Sequence, residues 1–263
     1  MNCRSYGKRP YLAVAVHGGP GAPGSASSLA RMLSSIVGTL EPFQTASSVK
    51  SQVDELAAQI REYTQEPVIL FGHSWGAWLS FLLAYSQPEM VRKVFLIGSG
   101  AFDASYVNEM ESRRLSHMTA VEANEYNDIT KLLSNVTDSG KDALLVRLGY
   151  LAGRADNFCV DDTTENNDDI VRVDGNQYDK VWPEGAELRK TGYFMRIASE
   201  IKAPIRIIHG ADDPTPIEGV VKPLEGRVQD LKWYRLERCG HSPWKERYAK
   251  DEFWRIVKID LAD

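Results

Sequence analysis

Gly72-His73-Ser74-Trp75-Gly76 presents one hydroxyl between two glycines. A serine hydroxyl is unreactive at neutral pH until a base takes its proton, and a third group must orient that base. Gly-x-Ser-x-Gly is the pattern of a sharp strand-to-helix turn that lifts the serine clear of its neighbours. Such a turn also puts the hydroxyl at a helix N-terminus, where the dipole favours developing negative charge. The pattern occurs in ordinary turns too, so its context decides. Residues 68–71, Val-Ile-Leu-Phe after Pro67, predict a strand, and the run from Ser74 to before Pro88 predicts a helix.

The partners are sought in the order nucleophile, acid, histidine. His241 lies in Cys239-Gly240-His241-Ser242-Pro243, between the last predicted strand and the last predicted helix, where a base belongs. Upstream, His209-Gly210-Ala211-Asp212-Asp213-Pro214 closes another predicted strand and offers two competing aspartates. His17-Gly18-Gly19-Pro20-Gly21 follows the first strand. It reads either as a plain turn or as an oxyanion loop, whose glycines let a backbone N–H approach the reacting carbonyl. The second donor would be the backbone N–H of Trp75, the residue after the nucleophile. His17 itself reads as a residue that holds the loop.

These motifs need a sheet to carry them. Strands are predicted at 12–16, 68–71, 91–97, 205–208 and 231–236, with helices at 26–37, 48–63, 74–87 and 244–257. Continuous apolar strands alternating with amphipathic runs indicate a parallel sheet covered on both faces. The rhythm breaks between 102 and 202, where runs are helical or irregular and 161–169 is polar throughout, predicting an exposed loop. The expected organisation is an α/β core of residues 1–101 and 203–263 interrupted by a helical lid of residues 102–202. Every motif then falls at the carboxyl end of a strand, where open parallel sheets place their sites.

On these residues the chain resembles α/β-hydrolase fold proteins. His17-Gly18-Gly19-Pro20-Gly21 with Gly72-His73-Ser74-Trp75-Gly76 is similar to the proline iminopeptidase branch. The resemblance covers roughly residues 11–100 and 203–258, and implies a mostly parallel sheet flanked by helices. It also implies Gly19 as the loop donor and, through the family's His-Gly-x-x-Asp spacing, Asp213 as the acid, with Asp212 a loop neighbour. Val181-Trp182-Pro183-Glu184 and residues 207–246 look like small bacterial or archaeal hydrolases. There are two departures from the iminopeptidases. Only about ten residues precede the first strand, and the lid glutamates that hold a substrate amine in that branch have no aligned counterpart.

Composition narrows the chemistry. The net charge of −5 argues against a nucleic-acid or anionic-membrane partner. No apolar run approaches membrane-spanning length, and the short run at 12–16 reads as a strand rather than a signal segment, so a cytoplasmic protein is expected. Three scattered cysteines and five histidines without ligand spacing predict neither disulfides nor a metal, and no cofactor is expected. Residues 103–200 hold 19 Asp and Glu against 11 Lys and Arg. Either this is a solvated helical surface, the favoured reading, or it attracts a cationic group, with Glu184 and Glu187 the first candidates. The expected activity is serine hydrolysis of a small ester or amide through an acyl-enzyme on Ser74, Asp213 and His241. An aminopeptidase acting on a short peptide is the alternative. A ligand-binding receptor or scaffold on the same fold is the non-enzymatic rival.

Overall fold

The computed structural model describes residues 2–133, 138–161 and 169–262. Most of the polar run at 161–169 therefore lies outside the described residues. The first half of the chain contains β1 (Cys3–Tyr6), β2 (Tyr11–Val16), α1 (Ser27–Leu33), β3 (Gly38–Pro42), α2 (Val49–Arg61), β4 (Val68–His73), α3 (Trp75–Ser86) and β5 (Val91–Ile97). Then come α4 (Val107–Ser116), α5 (Ala120–Leu133), α6 (Asp138–Asp156), α7 (Gly175–Lys190) and α8 (Tyr193–Ile197). The chain ends with β6 (Ile205–Gly210), α9 (Glu218–Val221), β7 (Leu231–Leu236) and α10 (Lys250–Ala262). The seven strands form one sheet in the order β1-β3-β2-β4-β5-β6-β7. Only the β1–β3 pair is antiparallel.

The five predicted strands are present. Two more, β1 and β3, were not legible. Their sequences, CRSY and GTLEP, lack the long apolar run of a central strand. Yet β3 is wholly buried, because Glu41 takes the Tyr6 hydroxyl at 2.8 Å from the neighbouring β1. β1 lies within the ten or so residues that seemed too few for further sheet. Helix bounds shift as well: α1 ends at Leu33, and α10 begins at Lys250 rather than 244.

Both faces of the sheet are covered. One core joins Val14, Leu70, Val94 and Ile207 to Leu56 of α2 and Leu79 and Leu83 of α3. The other joins Ala15, Phe71, Phe95 and Ile208 to Leu29 of α1 and Phe253 and Val257 of α10. Helix α3 is buried from Trp75 to Ala84, which suits an apolar helix enclosed on all sides. Ser48 caps α2, its hydroxyl accepting from the Ser51 N–H at 3.2 Å. β5 and β6 pair directly, Val94 opposite Ile205, so α4–α8 lie in a long connection between adjacent strands. Among the described residues no helix is long and apolar enough to cross a membrane.

Candidate active site

The turn between β4 and α3 explains its own sequence. Ser74 has φ 54° and ψ −117°, a conformation that costs a non-glycine residue roughly 1–3 kcal/mol. Neighbouring bonds hold it there, among them Ser74 N–H to the Ile97 carbonyl at 3.0 Å. A side chain on Gly72 would strike the Gly76 carbonyl, and one on Gly76 would strike the carbonyls of Val16 and His17. Both glycines are therefore required by close approach. Trp75 opens α3, so its backbone N–H has no partner within the helix.

The loop after β2 lies against this turn. A first side-chain carbon on Gly18 would sit 3.4 Å from Ser74 Cβ and 3.4 Å from His73 Nδ1. Gly19 follows with φ 121°. His17 is buried; its Nδ1–H donates to the Gly18 carbonyl at 2.7 Å, and its Nε2 accepts from the Gln44 N–H at 3.2 Å. Both ring nitrogens are thus committed to backbone, and burial lowers its pKa to about 4. A neutral ring so fixed holds the loop.

Beyond β6 and β7, Asp213 and His241 meet. His241 Nδ1 lies 2.7 Å from Asp213 Oδ2, and the other carboxylate oxygen accepts from the Thr215 N–H at 2.8 Å. Asp213 is 1% exposed. Burial alone would raise its pKa, but His241, His209 and these hydrogen bonds outweigh it and hold the carboxyl down to about 2. For His241 burial acts downward, yet the facing carboxylate raises its pKa overall. The competing Asp212 turns instead to the Cys239 N–H at 3.2 Å. His209 is buried, donates from Nε2 to the Thr215 carbonyl at 2.7 Å and stays 3.5 Å from Asp213.

Several contacts around the site carried no sequence signal. His73 Nε2–H donates to the His241 carbonyl at 3.1 Å, and the two rings lie 4.8 Å apart. Its edge meets Trp244 at 4.7 Å. The His241 N–H donates to the carbonyl of Asp156, at the end of α6, at 2.8 Å. A backbone acceptor from a distant helix cannot be read from residue types. Trp75, Trp78, Tyr178 and Trp182 form an aromatic wall joining α3 to α7, with Trp78 and Trp182 stacked at 6.1 Å. The Trp75 indole N–H is fixed on Gln52 Oε1 at 3.0 Å.

Glu184 and Glu187 are not brought to Ser74. Glu184 accepts from the Val49 N–H at 2.7 Å, capping α2, and Glu187 lies 3.7 Å from Lys190. They line a cleft of about 600 Å³ together with Leu82, Tyr85 and Ser86 of α3. Those residues stand 8 to 12 positions beyond Ser74, which is about 12–18 Å along a helix axis. Among the described residues no group of three or more His, Cys, Asp or Glu side chains is placed to hold a metal ion.

Comparison with known proteins agrees with this architecture. The profile of the alpha/beta hydrolase family matches residues 6–253. A proline iminopeptidase of Clostridioides difficile (strain 630) is 23% identical over 208 residues, spanning 75% of this chain and 68% of that protein. The 2-hydroxy-6-oxononadienedioate/2-hydroxy-6-oxononatrienedioate hydrolase of Paraburkholderia xenovorans (strain LB400) is 25% identical over 198 residues. That match covers 75% of this chain but 63% of the relative, less than two thirds of its length. The crystal structure of VinJ has a similar fold, with a TM-score of 0.68 at 17% identity over 98% of this chain and 93% of that one.

Proposed function

The chain belongs to the alpha/beta hydrolase family, and on that premise we propose that it is a serine hydrolase with Ser74 as nucleophile, His241 as general base and Asp213 as its orienting acid. The observation that carries this reading is the 2.7 Å contact between His241 Nδ1 and a buried Asp213, set beside a serine held at φ 54°. In the proposed reaction Ser74 Oγ attacks a carbonyl carbon while His241 Nε2 takes the hydroxyl proton. The tetrahedral oxyanion is stabilised by the backbone N–H groups of Trp75 and Gly19, preorganised donors aimed where negative charge develops. Collapse breaks the bond to the leaving group, which receives the proton from His241. Water, deprotonated by the same imidazole, then releases the acyl group and restores Ser74.

A small ester or amide is the proposed substrate, admitted beneath the α4–α8 segment acting as a lid. The ester reading leads, because Glu184 is spent on α2 and both lid glutamates lie away from Ser74. N-terminal amide cleavage is the second reading, supported by the similarity to the iminopeptidase. A receptor or scaffold needs no such pairing of buried acid with base, and is disfavoured for that reason.

The test is labelling by a fluorophosphonate probe. Wild-type protein is expected to label and Ser74→Ala to stay unlabelled; labelling that persists in Ser74→Ala rejects the nucleophile. A matched panel of short acyl p-nitrophenyl esters and Pro- or Ala-arylamides then separates the two substrate readings.

A further inference from the structure

The loop carrying His241 is gripped from outside the core. Beyond α6, residues 156–161 run beside residues 240–250. Asn157 Oδ1 accepts from the Ser242 N–H at 3.0 Å. The Arg247 N–H donates to the Cys159 carbonyl and the Asp161 N–H to the Lys245 carbonyl, both at 2.8 Å. Val160 and Glu246 form an antiparallel bridge, and Lys250 pairs with Asp161 at 2.5 Å. This pairing occupies residues where a final helix was expected, which is why α10 starts late.

Glu246 lies at the centre of the grip. It is fully buried, where an ionised carboxylate is costly unless donors surround it. Its Oε1 accepts from the Phe158 N–H at 2.7 Å and the Gly240 N–H at 2.9 Å, and its Oε2 from the Cys159 N–H at 2.6 Å. One side chain therefore joins the residue before His241 to the residues that follow Asp156. Asp156 is itself fixed by a two-pronged pair with Arg114, at 2.7 and 2.8 Å, and its carbonyl receives the His241 N–H.

We propose that Glu246 is a positioning residue for the base, tying the His241 loop to residues 156–161 so that His241 is aligned only while that segment of the proposed lid is seated. The role rests on the triad reading above. It couples substrate access to chemistry: displacement of the lid segment withdraws the Asp156 carbonyl and loosens the imidazole. The charged and titratable groups facing His241 are Asp213, His73, His209, Asp156 and Arg114.

The experiment measures kcat, KM and the pH profile of kcat/KM on a p-nitrophenyl ester for wild type, Glu246→Gln, Glu246→Asp and Asn157→Ala, with folding checked by circular dichroism. Glu246→Gln puts an NH₂ group against backbone donors. It is expected to lower kcat roughly 10- to 100-fold with KM little changed, as misplacement of a reacting group does. The acidic limb of its profile is expected to move down toward roughly 6.5. Glu246→Asp should recover part of the loss. A folded Glu246→Gln with wild-type kcat and profile, or a change confined to KM, overturns the proposal. If Glu246→Gln does not fold, Asn157→Ala decides: a smaller loss in the same direction supports the role, and wild-type behaviour overturns it. Fluorophosphonate labelling of the wild type separates the two claims. Absent labelling rejects the triad and this role together, whereas labelling with unaltered variant kinetics rejects only the role of Glu246.

Discussion

Asp213 and His241 shift one another's protonation in opposite senses, and the sign has a kinetic consequence. The proposed base, His241, would work when neutral, and Asp213 raises its pKa above the ordinary value. The acidic limb of kcat/KM is therefore expected above pH roughly 6.5. Asp213→Asn should lower kcat by about 10⁴ and move the limb to lower pH, both readable on an ester substrate; a limb that stays in place contradicts the pairing. At this scale the sequence was informative where a side chain does the chemistry. Ser74 and His241 stood out by motif, while Asp212 and Asp213 were separable only through the His-Gly-x-x-Asp spacing that the family resemblance implies. The structure divides them physically, one carboxylate to an imidazole and the other to the Cys239 N–H. The His73 ring contacts and the Asp156 carbonyl went unread, because their contributions are contacts made across the fold rather than properties of residue type.

The elements divide in the same way. Central strands advertise themselves by apolar runs, whereas β3 is buried through a glutamate satisfied by a tyrosine from β1, a pairing no periodicity reveals. Helix α3 was found from its apolar run, and its burial sets what it can tolerate. Leu79, at 0% exposure, should lose about 2–5 kcal/mol of unfolding free energy on Leu79→Ala while Ser74 still labels. Gly76→Ala, in contrast, forces a methyl into the Val16 and His17 carbonyls and should abolish labelling. Denaturant titration alongside labelling measures both, and a fully active Gly76→Ala would mean that the elbow yields more readily than its contacts indicate. The start of α10 was misread because the expected helix residues are used to pair with 156–161.

Across the whole molecule, acid is expected to be more damaging than base. His17, His73 and His209 are buried with lowered pKa values, so the unfolded chain binds more protons than the native one as pH falls from roughly 6.5 to about 4. Stability should drop through that window, and further from about 4 to about 2 as Asp213 is protonated. His241, with a raised pKa, opposes the trend, since its contribution is present in acid and fades as pH rises. Tm measured from pH 7 to 4 should fall, and His17→Gln should flatten the curve by about 1.4 kcal/mol per pH unit within its window; an identical slope would show that His17 is not neutral in the native state. The pairing of β5 with β6 reaches further, into the birth of the chain. One side of β5 pairs with β4, Val94 opposite Leu70, but the other finds its partners only at Ile205 and Ile208, so a strand inside the finished sheet keeps one open edge while the intervening segment is being made. At 5–20 residues per second that interval lasts roughly 5–20 s. For that time the nascent protein carries an apolar strand, Val91–Ile97, that invites pairing with any other chain. The ribosome-bound intermediate, rather than the folded protein, is where this architecture is expected to be most open to aggregation.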